Sequence, residues 1–305
     1  MTEKERFIKE GRFPESFFEE EVRNDFLVDS FRKKMWAVLL DMALELDRVC
    51  QKHHLTYFLS DGTLLGAVRH HGFIPWDDDF DVHMPREDYE KFIKLGNEFK
   101  SPLFLQTPLT DPKFFYAPAR IRNSNTSGII PMFKYQGFNQ GIWLTVFPLD
   151  NMDPVDGEKI YQQINALNIE NSTYMRMTNP ELDEKNRKRV ENYSGRDPFE
   201  TYKEIHRLAR KYEGIDTGYK IVMVHTMDNY KKKTFSAKDY DHAVPCKVEG
   251  YDFPIPCGYD NLLTQYYGDY MKLPPVEERG KKHSNVVWNP DISYIDFLEE
   301  YDTNN

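Results

Sequence analysis

The start of the chain combines an irregular segment with a long amphipathic pattern. Residues 1–30 are charged and aromatic without a clear period, and we expect them to form an arm that packs on a domain. Residues 31–53 predict an amphipathic helix, because apolar side chains recur at spacings of three and four. The stripe consists of Met35, Leu39, Met42, Leu46 and Val49. Cys50 ends this stripe and is expected to lie in the core.

The next part of the chain alternates strand-like runs with helical spacing. Residues 54–60 and 79–84 predict strands, and each is followed by a helical pattern, at 61–68 and 86–99. Further strands are predicted at residues 103–107, 115–122 and 142–147. Because strands and helices alternate through short connections, we predict an α+β fold with a mixed β-sheet core flanked by helices.

The second half of the chain changes character. Residues 151–240 are polar and predict mostly helix, whereas residues 241–305 return to strand-like runs. We therefore predict three segments: residues 1–150 with the arm and the main core, residues 151–240 as a mainly helical insertion or subdomain, and residues 241–305 completing the core. Residues 200–212 form a basic amphipathic pattern, which fits either a solvated face over a core stripe or peripheral contact with a membrane.

Composition and charge narrow the class of protein. The 305 residues contain 40% hydrophobic side chains, enough for a sizeable core, and the net charge of −10 argues against a nucleic-acid binder. Three cysteines without a C-x₂-C pair indicate free thiols rather than a disulfide framework or a zinc site. The N-terminus lacks a signal-peptide pattern and no run of about 18 apolar residues occurs, so we expect a cytoplasmic protein, with contact at the inner face of the membrane left open.

The most informative segment is the acidic run FIPWDDDFDVHMP at residues 73–85. If this run is a strand, Asp77, Asp79 and Asp81 share one face, because successive side chains alternate. Clustered carboxylates repel each other, and a divalent cation removes that penalty. We therefore predict Asp77, Asp78, Asp79 and Asp81 as ligands of Mg²⁺, or of Mn²⁺, rather than a solvated acidic turn or an EF-hand loop.

A second motif precedes this run. The sequence Ser60-Asp61-Gly62-Thr63 follows a predicted strand and begins a predicted helix, where backbone N–H groups can bind a phosphate. Alone, this motif fits a simple helix cap equally well. A phosphate loop followed by Asp-x-Asp on the next strand is the arrangement of nucleotidyltransferase-fold enzymes, so Asp61, Gly62 and Thr63 are predicted to bind the phosphates of a substrate.

The combined motif resembles a known family. The run LSDGTLLGAVRHHGFIPWDDDFDVHMPREDYEKF at residues 59–92 strongly resembles the LicD family, which includes bacterial phosphocholine transferases and fukutin-type ribitol-phosphate transferases. Residues 141–150 and 266–283 are similar to a later strand and a C-terminal signature of that family. The resemblance implies a nucleotidyltransferase-like core. It also implies transfer of a phospho-alcohol from a CDP-alcohol donor such as CDP-choline to a glycan or lipid-linked glycan acceptor, with CMP leaving.

The resemblance also implies roles for individual residues. Asp79 and Asp81 would bind Mg²⁺ with support from Asp77 or Asp78, and Gly62 and Thr63 would contact the donor phosphates. The side chains implied near the pyrophosphate or near the donor or acceptor are Arg69, His70, Arg279 and His283. One position departs from the family, because Thr145 stands where another aspartate is expected. Asp77, Asp78 or Asp150 would then take over, or the enzyme is altered.

Two further points stay open at the level of the sequence. Arg120 and Arg122 alternate on a predicted strand, so they either point at phosphate or line a solvent-facing edge. The leading hypothesis is a CDP-alcohol phosphotransferase. The same motifs also fit a nucleotidyltransferase that uses an NTP and releases pyrophosphate. The aspartate missing at Thr145 leaves a third reading, a nucleotide-binding protein without turnover.

Overall fold

A computed structural model describes residues 1–224, 230–280 and 286–303 of the protein. Within these residues the helices are α1 (Glu3–Lys9), α2 (Ser30–His53), α3 (Asp61–His70), α4 (Arg86–Phe92), α5 (Gly157–Tyr174), α6 (Glu184–Glu191), α7 (Pro198–Ala209), α8 (Tyr259–Tyr267) and α9 (Tyr294–Thr303). The strands are β1 (Glu21–Arg23), β2 (Phe26–Val28), β3 (Phe58–Leu59), β4 (Asp81–Pro85), β5 (Leu103–Gln106), β6 (Ala119–Asn123), β7 (Ser127–Ile129), β8 (Ile142–Asn151), β9 (Tyr219–Ile221), β10 (Thr234–Ser236), β11 (Ala243–Val248), β12 (Tyr251–Pro256) and β13 (Val287–Asn289).

A mixed β-sheet organises the molecule, which confirms the predicted α+β fold. The long strand β8 lies in the middle, with β4 parallel to it on one side and β6 antiparallel to it. Strand β3 extends the sheet beyond β4, and β5 extends it beyond β6. The edge strands β9 and β10 come from the segment predicted as mainly helical, so the end of that segment returns to the sheet. The division into three segments stays a prediction.

Helix α2 forms the centre of the main core. Its N-cap residue Asp29 accepts a hydrogen bond from the Arg32 backbone, and the helix ends where His54 adopts a left-handed conformation. The predicted apolar stripe and Cys50 are buried, as expected. The N-terminal arm packs against this helix: Phe7 and Phe13 are buried, as the sequence predicted for an arm that packs on a domain.

Several predicted elements are shorter than the sequence indicated, among them the strands predicted at 54–60 and 115–122, which cover Phe58–Leu59 and Ala119–Asn123. The second strand begins at Asp81 rather than at residue 79, so Asp77 and Asp79 lie in the loop before it, and the alternation argument applies to Asp81 alone. The loop is held by a turn, in which the Asp77 backbone N–H donates to the Ile74 carbonyl, and by hydrogen bonds from α2 to the Asp77 carbonyl. Helix α4 ends at Phe92 because Gly96 and the residues around it form a separate turn.

The segment between residues 151 and 224 forms its own helical layer. Helix α5 packs on α7, and their buried residues Ile160, Ile164 and Ile205 form a second apolar cluster. In α7 the predicted stripe faces this cluster while basic side chains such as Arg207 are exposed.

Among the described residues, no helix combines the length and the apolar character needed to cross a membrane. Cys246 and Cys257 are half-buried, so only Cys50 fits the expectation of a buried thiol.

A buried polar cluster joins this helical layer to the sheet. The Arg86 guanidinium donates to both carboxylate oxygens of Asp150, at 2.6 and 2.9 Å, and to Nδ1 of His206 at 3.0 Å. Nε2 of His206 donates a hydrogen bond to the backbone carbonyl of Ala117 at 3.1 Å. Burial and the Arg86 charge lower the pKa of His206, which keeps the ring neutral and able to accept from Arg86. The cluster therefore connects α4, β8 and α7.

We predict that Arg86→Leu lowers the free energy of unfolding by about 3–5 kcal/mol, because it leaves the Asp150 carboxylate buried without its cation. Urea unfolding followed by circular dichroism measures this change. Arg207→Leu is the matched control, because Arg207 pairs with Glu204 on the exposed face of α7, and its free energy of unfolding should match that of the unmodified protein. Equal stability of the two variants would contradict a stabilising role for the pair.

Candidate active site

The site begins with a row of side chains that crosses the sheet on one face. Asp81, the first residue of β4, lies opposite Thr145 on β8, and Thr145 lies opposite Arg120 on β6. Adjacent strands are about 4.8 Å apart, so these three side chains are neighbours. The Thr145 hydroxyl donates a hydrogen bond to the Asp81 carboxylate. Thr145 therefore lies beside the acidic cluster, at the position where the resemblance implied another aspartate.

Four aspartates gather around Asp79 and influence its charge. Burial raises the pKa of Asp79, and the negative charges of its neighbours raise it further. These neighbours are Asp77, Asp81, Asp78 and Asp61. The pKa of Asp81 is likewise raised, first by burial and then by Asp61, although the Thr145 hydrogen bond opposes the shift. The cluster thus holds more negative charge than its surroundings stabilise, which favours a bound cation.

The oxygen ligands of this cluster suit Mg²⁺ or Mn²⁺ rather than a softer metal. Within the described part of the chain, no three His, Cys, Asp or Glu side chains are arranged as a complete set of ligands for one ion. Mg²⁺ usually binds proteins through one or two carboxylates and takes further oxygens from substrate phosphates and water. Asp79 and Asp81 can supply such a pair, so the residues present fit a metal that binds together with a phosphorylated substrate.

Neighbouring helices and strands hold the loop that carries Asp77 and Asp78. The Asp77 carbonyl accepts hydrogen bonds from Arg32 at 2.8 Å and from the Trp36 indole at 3.3 Å, both on α2. The Asp78 carboxylate accepts a hydrogen bond from the Trp288 indole on β13 at 3.0 Å. Side-chain contacts with distant elements, rather than strand pairing, therefore fix this loop.

The start of α3 packs directly on the acidic cluster. A Cβ atom added to Gly62 would lie 2.8 Å from Oδ2 of Asp77, so the close approach requires glycine. The Thr63 hydroxyl accepts a hydrogen bond from the Asp81 backbone N–H at 2.9 Å and so positions the first residue of β4. The first turn of α3 therefore lies beside the carboxylates, where the helix dipole stabilises negative charge.

Lys233 completes the site, and the sequence analysis did not identify it. Its Nζ atom lies 3.2 Å from Oδ1 of Asp61, and Nε2 of His83 lies 3.4 Å from Oδ2 of the same carboxylate. Burial alone would raise the pKa of Asp61, but Lys233 and His83 outweigh burial and lower it below its ordinary value. Lys233 itself is buried, whereas the adjacent Lys232 is exposed. Nothing in the local sequence distinguishes the two lysines, so only the tertiary contact reveals this role.

Arg69 and His70 lie at the C-terminal end of α3, and their contacts are largely internal. Arg69 donates to the Tyr270 carbonyl at 2.7 Å and to Nε2 of His70 at 2.9 Å. Burial and the Arg69 charge lower the pKa of His70 to about 4, so His70 is neutral and adds no positive charge. Nδ1 of His70 donates to the Asn24 side chain at 3.0 Å, which fixes the ring.

The C-terminal signature approaches the same side of the site. Arg279 donates to the Asn24 carbonyl at 2.7 Å and lies 5.2 Å from the Trp76 ring, and its charge contributes to lowering the pKa of Arg69, after the effect of burial. Burial and the carboxylates of the acidic cluster raise the pKa of Tyr267, which places this phenol beside the aspartates. Arg69, Arg279 and Tyr267 therefore lie near one another beyond the C-terminal end of α3. His283 lies outside the described residues.

The two arginines of β6 are both buried, so the alternative of a solvent-facing edge is wrong. Strand β6 lies between β5 and β8, and therefore neither of its edges is free. Arg120 lies beside Thr145 and stacks on Trp143 with 4.2 Å between its guanidinium carbon and the ring centroid. Arg122 lies two residues further along β6 and so farther from Asp81. It donates to the Gln106 side chain and to the Gly141 carbonyl, both at 2.6 Å. Arg120 is thus the arginine closer to the carboxylates.

Asp150 does not replace the aspartate that is missing at Thr145. It lies five residues further along β8, so its side chain points to the opposite face, and both of its carboxylate oxygens bind Arg86. The carboxylate beside Thr145 is instead Asp81, which belongs to the acidic cluster.

We predict that Lys233→Met lowers the free energy of unfolding by about 3 kcal/mol, because the variant leaves Asp61 without its ammonium partner. Thermal and urea unfolding measure the change. The matched control is Lys232→Met in the same run of lysines, which removes an exposed charge and should leave stability unchanged. A Lys233→Met protein as stable as the Lys232→Met protein would show that the buried ion pair is not needed for folding.

Comparison with known proteins places these residues in a family. Residues 54–152 match the family described as LicD/FKTN/FKRP, nucleotidyltransferase domain. This range contains α3, β4, β6 and β8, and therefore all five aspartates of the cluster together with Thr145 and Arg120.

Individual relatives agree with this match. The chain is 27% identical over 241 residues to the lipopolysaccharide cholinephosphotransferase LicD of Haemophilus influenzae, and the aligned part covers 77% of this chain and 89% of that protein. Shorter segments match uncharacterized proteins of Rickettsia typhi, 47% identical over 49 residues and 16% of each chain, and of Rickettsia prowazekii, 54% identical over 37 residues, 12% of this chain and 14% of that protein. The acidic site therefore lies inside the part of the chain that is similar to the LicD family.

Proposed function

We propose that this protein is a metal-dependent cholinephosphotransferase. It transfers phosphocholine from CDP-choline to a hydroxyl group of a cell-surface glycan or of its lipid-linked precursor, and CMP is released. The observation that supports the proposal is the aspartate cluster at the start of α3, inside the domain matched by the LicD family. The relative that covers most of the chain is named a lipopolysaccharide cholinephosphotransferase, which favours choline over other alcohols.

The reaction is an in-line displacement at the phosphorus atom that bears choline. The acceptor oxygen forms a bond to this phosphorus, the bond between the phosphorus and the oxygen of CMP breaks with its electron pair, and the acceptor proton leaves. Bound Mg²⁺ or Mn²⁺ would supply neutralisation of the phosphate charge, with Asp79 and Asp81 as its ligands. Asp81 is also the carboxylate that takes the acceptor proton, because it begins β4 in the row with Thr145 and Arg120.

The remaining groups of the site position the substrates. On the α3 side, Arg69 and Arg279 supply positive charge towards a diphosphate, and Gly62 leaves room for the carboxylate of Asp77. On the β6 side, Arg120 places a cation beside the Asp81–Thr145 pair. Preorganised charges of this kind stabilise developing negative charge without reorganisation during the reaction. The acceptor and the nucleotide therefore meet between two cationic sides.

Thr145 is compatible with this chemistry. Its hydroxyl donates to Asp81, so it orients one carboxylate oxygen without adding a further negative charge to the cluster. An aspartate at this position would increase the repulsion that already raises the pKa of Asp79 and Asp81. The proposed enzyme therefore relies on the carboxylates of the loop and of β4 and uses Thr145 as a hydrogen-bond donor.

We predict that Asp79→Asn reduces CMP formation from CDP-choline by about 10³-fold or more, because one oxygen ligand and one negative charge are lost at the reacting phosphate. Product analysis by ³¹P NMR and mass spectrometry with purified protein, Mg²⁺ and a glycan acceptor measures the change. Asp252→Asn, on the exposed side of β12, is the control that should keep full activity.

The same assay separates the alternatives. A panel of CDP-choline, CDP-ethanolamine, CDP-glycerol, CDP-ribitol and NTPs tests the donor. CMP from CDP-choline that depends on Mg²⁺ and Asp79 supports the proposal. Pyrophosphate from an NTP would indicate nucleotidyl transfer, and tight CDP binding without any product would indicate a protein that binds nucleotide without turnover.

We also predict that Gly62→Ala lowers the rate of CMP formation by about 10²-fold, because the new methyl group would displace the Asp77 carboxylate from its position. The unfolding midpoint should change little in comparison. Gly96→Ala is the control, because its Cβ would lie at an ordinary 3.4 Å from Thr110. A Gly62→Ala enzyme with normal activity would show that the close contact with Asp77 is not required.

A further inference from the structure

A cavity of about 510 Å³ lies on the β6 side of the active site. Its walls include Arg120 and Trp143 from the sheet and a face of α5 that carries Asn165 and Ser172. Six aromatic side chains line it, and most of the remaining surface is apolar. Arg120 belongs both to this cavity and to the row that contains Asp81, so the cavity and the acidic site lie on either side of one strand row and share this side chain.

Two buried arginines that line the cavity each carry an N–H group without a hydrogen-bond partner. Nε of Arg120 and Nη1 of Arg176 have no hydrogen-bond partner among the described residues, although each side chain is only 8% exposed. Burial lowers the pKa of Arg120 to about 10, and burial together with Arg189 lowers the pKa of Arg176. Buried N–H groups without an acceptor are costly, and the described lining of the cavity contains three arginines and no carboxylate, so the cavity is suited to a ligand that brings negative charge or acceptor oxygens.

The aromatic walls do not suit the quaternary ammonium group of choline. Such a cation binds over free aromatic faces. Here the guanidinium of Arg120 already lies 4.2 Å from the Trp143 ring centroid and 4.5 Å from that of Tyr116, and the guanidinium of Arg176 lies 5.5 Å from that of Phe133. A second cation in the same space would be repelled. Flat apolar walls beside hydrogen-bond donors instead suit a sugar ring, which presents C–H groups on its faces and oxygens at its edge.

The position of the cavity distinguishes the acceptor from the nucleotide. In an in-line displacement the attacking and leaving oxygens lie on opposite sides of the phosphorus. The start of α3, where phosphates are predicted to bind, lies on the β3 side of Asp81, whereas the cavity lies beyond Thr145 on the β6 side. If CMP leaves on the α3 side, the acceptor hydroxyl approaches from the cavity.

We propose that this cavity is the acceptor site and that it selects a saccharide bearing an anionic group, either a phosphate or a carboxylate. This inference rests on the proposed function, because the transfer reaction requires the acceptor and CMP to lie on opposite sides of the phosphorus. The sugar ring lies against the aromatic wall near Trp143, its anionic group pairs with Arg120 and Arg176, and α5 contacts its hydroxyl groups. The helical segment that contains α5 thereby contributes to acceptor selection.

Binding experiments without turnover test this proposal. Glucose 6-phosphate, galacturonic acid and neutral glucose are titrated in metal-free buffer and followed by saturation-transfer difference NMR, with choline and CMP as further probes. We expect the two anionic sugars to bind more tightly than glucose. Arg176→Met should weaken the anionic sugars by about tenfold or more and leave CMP unaffected. Arg207→Met, an exposed arginine of α7, is the matched control and should change none of the affinities.

A second variant keeps the test decisive if Arg176→Met does not fold. Ser172→Phe fills the cavity from α5 and should abolish binding of the anionic sugars while circular dichroism shows a folded protein. The proposal is overturned if neither anionic sugar binds, if glucose binds equally well, or if Arg176→Met weakens CMP or choline instead. Because sugar binding needs no donor, a failure of the proposed function, seen as no CMP from CDP-choline, is recognised separately.

Discussion

Five aspartate carboxylates meet at the start of α3, and their mutual repulsion is the constraint on which the arrangement of the site depends. Asp61 is stabilised by Lys233 and His83, and Asp81 receives a hydrogen bond from Thr145. For Asp79, burial and the four neighbouring carboxylates are the largest influences, and all of them raise its pKa. The fold thus neutralises one part of the cluster with its own groups and leaves another part suited to an external cation.

This constraint also explains why distant segments converge on one place. Lys233 precedes β10, which reaches the sheet only after the helical segment, whereas Arg32 and Trp36 on α2 hold the backbone of Asp77. Each contact joins parts of the chain that are far apart in sequence. The acidic site therefore depends on the folded sheet as well as on the motif that carries the aspartates. A change in the packing of α2 or β10 would shift the carboxylates.

The sequence predicted those features that depend on local patterns. The apolar period of α2, the acidic run before β4 and the Gly-Thr start of α3 all follow from neighbouring residues. Features that depend on tertiary contacts were missed. Lys233 looks like its exposed neighbours, the burial of Arg122 follows from the position of β6 inside the sheet, and the role of Asp150 follows from Arg86 on another element. The strand predicted at 79–84 began too early because α2 holds the loop before it.

The row from Asp81 through Thr145 to Arg120 separates two sides of the site that differ in their chemistry. Towards β3 lie the backbone N–H groups of α3, which suit phosphates because they add no side-chain charge and need no rearrangement. Towards β6 the charge is carried by arginine side chains that are stacked on aromatic rings and therefore fixed in orientation. A planar guanidinium held in this way recognises the geometry of an anion as well as its charge. Since Thr145 separates the two sides without adding charge, the acidic cluster can act on a phosphate between them while the two substrates are recognised by different chemistry.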